Sequence, residues 1–107
     1  MEVNQYSIVL AGQDTSSGNE AGNGVQCVVI SPAEMNSALR TITLAPLCPD
    51  TGDYPTRVRI KSGTKQVRIA LDQIMTIEKK RILKVIGDLS PAEIKKVKSV
   101  LKEIFID

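Results

Sequence analysis

The sequence predicts a mainly β domain with some α structure: a small, strongly curved sheet closing toward a barrel, followed by a C-terminal helix. Three observations carry this. Apolar residues make up 42% of the 107-residue chain but aromatics only 3%, so Val, Ile and Leu must build the core, a composition suited to strands plus a helix. Short apolar stretches recur between turns rich in Gly, Pro, Asn and Asp, the pattern of a small all-β barrel. Only the last segment holds helical spacing over several turns. The length fits one domain, 1–107, because single cores commonly span about 100–150 residues.

The first strand is read in "YSIVLAG". A thirteen-residue polar loop, Gly12 to Gly24, follows, well beyond the usual connection of about 4–6 residues. "VQCVVIS" is a continuous apolar run between turn signals, consistent with a strand buried on both faces. Cys27 inside it reads as a small buried hydrophobe. In "SPAEMN", Ser31 is placed to cap a short helix, with Pro32 at its first position and Glu34 completing a capping box.

"LRTITLAPL" resumes a strand, and "CPDTGDYP" reads as turn material punctuated by Pro49, Gly52 and Pro55. "TRVRI" and "KQVRIAL" alternate about the tight turn "KSGT", which predicts a hairpin. Because side chains at alternate positions share a face, the hairpin displays Arg57, Arg59 and Lys65, with Arg68 a further candidate, as a basic ribbon. "DQIMTIEKKRILKVIGDL" reads as a short strand, a charged turn and another strand. In the last segment Ser90, Pro91 and Glu93 form a second capping-box signature. Ile94, Val97, Leu101 and Ile104, joined by Val100 and Phe105, make its apolar stripe, and Lys95, Lys96, Lys98 and Lys102 fall mainly off it.

The net charge is +2, but the halves differ. Residues 1–54 carry one basic residue against six acidic ones, a net of −5, whereas residues 55–107 carry thirteen against six, a net of +7. Such asymmetry points to a polyanionic partner, a nucleic acid or an acidic peptide. With no histidine, and with Cys27 and Cys48 far apart, there is no metal-ligand spacing, and neither metal nor cofactor is expected. No apolar run reaches the roughly 20 residues that span a bilayer, and the first residues lack the basic and apolar regions of a signal peptide. A cytoplasmic location without a membrane partner is the expectation.

The segments "CVVISPAEMNSALRTITLAPL", "DYPTRV", "LDQIMTIEKKRI" and "LSPAEIKKVKSVLKEIF" resemble, in this order and over nearly the whole chain, the MazF/PemK toxins of bacterial type II toxin–antitoxin pairs. The resemblance implies an SH3-like barrel with a C-terminal helix, shared with CcdB-type gyrase poisons and usually homodimeric. It also implies metal-free cleavage of single-stranded RNA at short sequences, by attack of a ribose 2′-hydroxyl on its neighbouring phosphate. That chemistry needs a base for the hydroxyl, an acid for the leaving oxygen and donors for the phosphate oxygens. The Gly12–Gly24 loop resembles the family's mobile gate over the site, which also contacts the antitoxin.

Residue by residue, Asp14, Gly18 and Glu20 stand where the family loop reads like "DPTxGSE". Three positions depart from the pattern. Val25 and Gln26 replace an Arg-Pro pair, Cys48 replaces the Thr or Ser of "APLT" or "APLS", and Met75 replaces the arginine of "DQIRT". An arginine holds phosphate by two parallel hydrogen bonds. Losing one well-placed transition-state donor costs about 3–4 kcal/mol, so the usual mechanism is impaired unless Arg40, Arg57 or Lys61 fills the vacancy.

On this resemblance the catalytic candidates are Glu20 and Asp72 for proton transfer and Cys48 as a minor donor. The candidates for contact with RNA or antitoxin are Asp14, Gly18, Gln26, Arg40, Tyr54, Arg57, Arg59, Lys61 and Gln73. The implied partners are single-stranded RNA, a cognate antitoxin with an acidic disordered tail, and a second copy of the chain. Three functions stay open: a working endoribonuclease with substitute groups, a catalytically impaired fold that binds RNA or antitoxin without cutting, and a CcdB-like poison of a protein such as gyrase.

Overall fold

The computed structural model describes residues 3–12, 24–50, 52 and 55–106. Among them run β1 (Ser7–Gly12), β2 (Gly24–Val29), α1 (Ala33–Ala38), β3 (Thr41–Pro49), β4 (Arg57–Ser62), β5 (Lys65–Ala70), β6 (Met75–Glu78), β7 (Ile82–Asp88) and α2 (Pro91–Phe105). Single 3-10 turns at Leu71–Gln73 and Lys79–Arg81 bracket β6. The strands form one curled half-barrel sheet in the order β4-β5-β3-β2-β1-β7, with β6 also on β3. The nine-residue β3 is the hub: Leu44–Pro46 pair with β2, Thr41–Leu44 with β6, and Leu47–Pro49 with β5. Two register shifts in the β1–β7 pairing, after Ile8 and after Leu10, add the local bend that bulges produce.

Why Cys27, Val28 and Val29 are apolar in succession is now visible. Alternate side chains of the central strands enter two cores: Val9, Ala11, Cys27, Val29, Ile42 and Leu44 pack on one face, while Ile8, Val28, Ala45, Val58, Ile60 and Ile69 pack on the other. Beneath the second core lies α2, with Val97 fully buried and Ile94, Val100, Leu101 and Ile104 packed around it. Its N-terminus is closed as the sequence implies: Ser90 Oγ accepts the Glu93 N–H at 3.2 Å and Glu93 Oε1 accepts the Ser90 N–H at 2.8 Å. Glu93 Oε2 also accepts the Lys61 N–H at 2.9 Å, tying the helix to the outer edge of β4. Phe105 departs from the expected stripe and stands 62% exposed, because it points away at the helix end.

Other details differ from the sequence reading. Gly12 and Gly24 are paired strand residues, and residues 13–23 between them, read from sequence as the gate, lie outside the described residues. A Cβ on Gly24 would come within 2.6 Å of Leu10 Cγ, which explains glycine there. Ser31 makes no cap: it is buried, accepting the Thr43 N–H at 3.1 Å and donating to Asn36 Oδ1, and Pro32 takes the N-cap place. Cys48 and Pro49 belong to β3 rather than to a turn. At the β4–β5 hairpin, Gly63 has φ 67°, as a two-residue turn with glycine in first place requires. The pairing Ser62↔Lys65 puts Lys65 on the opposite face from Arg57 and Arg59, while Arg59↔Arg68 brings Arg68 into the ribbon.

Candidate functional site

The register places a charged cluster where the first core runs out. Pairings Cys48↔Arg68 and Arg59↔Arg68 set Cys48, Arg68 and Arg59 in a row across β3, β5 and β4, on the sheet face opposite Val58, Ile60 and Ile69. Arg57 and Lys61 flank Arg59 along β4 on that face, since alternate residues share it. Asp50, just past β3, accepts from Arg68 Nε at 2.7 Å and Arg59 Nε at 3.1 Å. Asp72, on the turn after β5, accepts from Arg57 Nε at 3.3 Å and Nη2 at 3.5 Å, and from Thr56 Oγ1 at 3.2 Å. The third Arg57 nitrogen, Nη1, lies 3.8 Å from Cys48 Sγ, whose S–H donates to the Arg68 carbonyl at 3.5 Å.

Both carboxylates are held below the usual range, Asp50 chiefly by its hydrogen bond from Arg68 and Asp72 chiefly by that from Arg57. Each is thus an anion that orients a guanidinium. Cys27 is the contrasting thiol: fully buried, it is pushed up to about 11 by burial. Among the described residues, no group of three or more Cys, Asp or Glu side chains is arranged to hold a metal ion, and no helix is long and apolar enough to cross a membrane.

Two clefts flank the cluster. The β2–β3 ladder stops at Cys27↔Pro46, and where the strands part a cleft of about 370 Å³ opens, lined by Gln26, Leu47, Cys48, Lys65, Gln66 and Val67, with Asp50 at its rim. The second, about 260 Å³, lies between the outer edge of β4 and α2 and is lined by Arg57, Val58, Arg59, Lys96, Ser99 and Val100.

Of the residues singled out from sequence, Cys48, Arg57, Arg59 and Asp72 come together. Gln26 is exposed nearby, its Oε1 accepting from Ser62 Oγ at 3.1 Å, and Gln73 is exposed beside Asp72. Lys61 is exposed at the α2 end of the ribbon. Arg40 is not part of the cluster: it precedes β3 at its α1 and β6 end, whereas Cys48 is at the other. Asp14, Gly18, Glu20 and Tyr54 lie outside the described residues. Val25 is packed against the first core, beyond the last β2–β3 pair, Cys27↔Pro46. Met75, the third departure from the family pattern, is exposed on β6, opposite Leu44.

Sequence reasoning missed Asp50, Thr56 and Gln66 as parts of this surface. Asp50 was hidden by its turn-like context "CPDTGDYP"; Gln66 could have been found from the hairpin register, two places before Arg68.

Residues 4–105 match the family described as PemK-like, MazF-like toxin of type II toxin-antitoxin system. Among solved structures, the chain is similar in fold to a MazE–MazF complex from Deinococcus radiodurans, with a TM-score of 0.79 and 15% identity over 99% of this chain and 97% of that one. An endoribonuclease in complex with its cognate antitoxin from Mycobacterial species superposes with a TM-score of 0.77 and 16% identity over 94% and 92% of the two chains. For the Mycobacterium tuberculosis toxin MazF-mt6 the values are 0.76, 16%, 92% and 95%. Among curated protein sequences, none is similar to the chain at a significant level. The match over nearly the whole length settles the kinship: the chain belongs to the PemK-like, MazF-like toxins of type II toxin–antitoxin systems.

Proposed function

We propose that this toxin is a metal-independent endoribonuclease acting on single-stranded RNA, in which Arg57 supplies the phosphate donor that position 25 has lost. The observation that carries the reading is the Arg57 guanidinium, 3.8 Å from Cys48 Sγ and fixed from behind by Asp72. A guanidinium so oriented offers fixed donors to non-bridging oxygens as charge builds in the transition state. The 2′-oxygen attacks phosphorus, its proton passes to a carboxylate, and the bond to the 5′-oxygen breaks as that oxygen takes a proton. In the family pattern the carboxylate is Glu20; Asp72, ionised and paired, serves Arg57 instead. Cys48 is a weak donor at most.

The basic surface also suits an antitoxin's acidic disordered tail, which would inhibit by occupying the same cations. A homodimer and a cytoplasmic location complete the proposal by analogy with the family.

A second reading, binding without cutting, is favoured by two features: Val25 is apolar and packed against the first core, and Arg57, Arg59 and Arg68 already have carboxylate partners. The test is to incubate the purified protein with long unstructured RNA in the presence of a chelator and map new ends. Cleavage leaving cyclic phosphate, several-hundredfold slower in Arg57→Ala, supports the ribonuclease; such a loss corresponds to about 3–4 kcal/mol for one transition-state donor. A parent that binds RNA without cutting it, with cleavage appearing on Val25→Arg plus Cys48→Thr, would establish the second reading.

A further inference from the structure

We propose that the outer edge of β4, where it borders the 260 Å³ cleft against α2, takes up an acidic peptide as an added strand, with alternate side chains directed at Arg59 and at Val58. The inference rests on the antitoxin reading above and gives the acidic tail a seat and a register. The backbone provides the first argument. β4 ends the sheet order, and among the described residues its only strand partner is β5. Its other edge is aimed into the cleft. The Lys61 N–H points outward, to Glu93 Oε2, and in an antiparallel pair the backbone groups of alternate residues point the same way, so the Arg59 N–H and carbonyl face outward too. Glu93 closes the edge at Lys61, and residues 57–59 are left along the cleft. Strand addition at such an edge gives affinity through main-chain hydrogen bonds and selectivity through alternate side chains.

Charge selects which strand is added. Arg59 is 53% exposed even while it bonds Asp50, and Lys61 and Lys96 make no ion pair among the described residues. No carboxylate lines the cleft. Arg57, turned toward Asp72 and Cys48, lends it mainly the stem of its side chain. A second β4 would set arginine against arginine, and like charges directly opposite are destabilising. Cations on an edge strand thereby discourage pairing with its own kind, and they favour an acidic one. On the other face Val58, buried, and Val100, half-buried, form an apolar wall. The strand that fits alternates acidic with apolar residues. A phosphodiester would meet the same cations but has no row of N–H donors for the outward carbonyls, whereas each peptide residue brings a donor and an acceptor.

The test uses the isotope-labelled full chain and a short synthetic peptide alternating Glu with Val, together with two versions N-methylated at the Glu or at the Val residues. Hydrogen exchange of the Arg59 backbone amide is the local readout, and a labelled RNA oligomer is run in parallel. The expected result is at least tenfold slower exchange at Arg59 on saturation with the parent peptide. Methylation of one alternate set should weaken binding at least tenfold and that of the other leave it unchanged; the sensitive set is the Glu amides if the added pair is antiparallel, like every other pair in this sheet. Lys96→Ala should weaken binding severalfold and Lys84→Ala should not. Equal affinity of the three peptides, or unchanged exchange at Arg59 when the peptide is bound, would overturn strand addition and leave the antitoxin reading standing as charge attraction alone. Protection of Arg59 by the RNA and not by the peptide would overturn it in favour of a nucleic-acid path. Failure of all three peptides to bind would overturn both the seat and the antitoxin reading.

Discussion

Asp72 grips Arg57 through two nitrogens, Nε at 3.3 Å and Nη2 at 3.5 Å, and leaves the third directed at Cys48. The carboxylate is thus a positioning group for the cation. A charged hydrogen bond contributes about 1.5–3 kcal/mol, so Asp72→Asn should slow RNA cleavage by about ten- to a hundredfold, less than Arg57→Ala. Single-turnover rates on one RNA check this. Equal losses in the two variants, with the lower arm of the pH–rate profile abolished in Asp72→Asn, would make Asp72 the base instead.

The carboxylates also set an acid limit. A folded pKa below the ordinary Asp value of about 3.9 means that the ion pairs stabilise the protein fully above that value. Their contribution is lost as pH falls through the lowered folded value. Carboxyl-carbon NMR should show Asp50 and Asp72 titrating below about 3.9. Arg57→Ala should return Asp72 toward the ordinary value and leave Asp50, held by Arg68 and Arg59, in place.

The two thiols should differ in reactivity. Cys27 is fully buried with its thiol pushed up to about 11, whereas Cys48 is half-buried beside the 370 Å³ cleft. A thiol reagent at pH 8 should titrate one group per native chain, abolished by Cys48→Ser, and two groups in denaturant. The burial and raised thiol of Cys27, against the open setting of Cys48, favour this order. Two fast groups in the native protein would contradict the burial of Cys27.

The fold was legible because its rules are local. Two-sided burial writes itself as the apolar run Cys27–Val29 at the end of β2, glycine at a hairpin tip marks β4–β5, and Ser90 with Glu93 marks the start of α2. The site was legible only in part. Arg57 could be named as a replacement cation, but its meeting with Cys48 depends on β3 reaching β5, a contact between distant segments. Pro49 disguised the end of β3 as a turn, since proline normally interrupts a strand. At the last residue of β3 it is tolerated. Asp50 likewise looked like a turn former until three strands brought Arg59 and Arg68 to it.

Ser31 was mistaken for a helix cap, and its actual partners predict a stability effect. Asn36 Nδ2 donates to the Ser31 carbonyl at 3.0 Å and the Val3 carbonyl at 3.2 Å, while its oxygen accepts from Ser31 Oγ. Asn36→Ala strips these buried groups of their partner, for which the penalty is about 1–3 kcal/mol. The urea midpoint should fall accordingly. Ser37→Ala, on the exposed side of the same helix, should remain within about 0.5 kcal/mol of the parent.

The β4–α2 cleft predicts how binding responds to salt. Lys96 faces Arg57 and Arg59 across it, so a phosphate lying there would meet a cation from the helix as well as the ribbon. Each phosphate contact on a single strand contributes a slope of about 0.7 in the logarithm of affinity against the logarithm of salt. Lys96→Ala should therefore lower the slope by about this amount and weaken binding alike for RNAs of different sequence. Lys84, on β7 at the opposite end of the sheet order from β4, is the control, and Lys84→Ala should leave the slope unchanged. Equal changes in the two variants would mean that the lysines act as a diffuse positive surface. A change confined to Lys96 would place the path of the RNA backbone across the edge of β4 and onto α2.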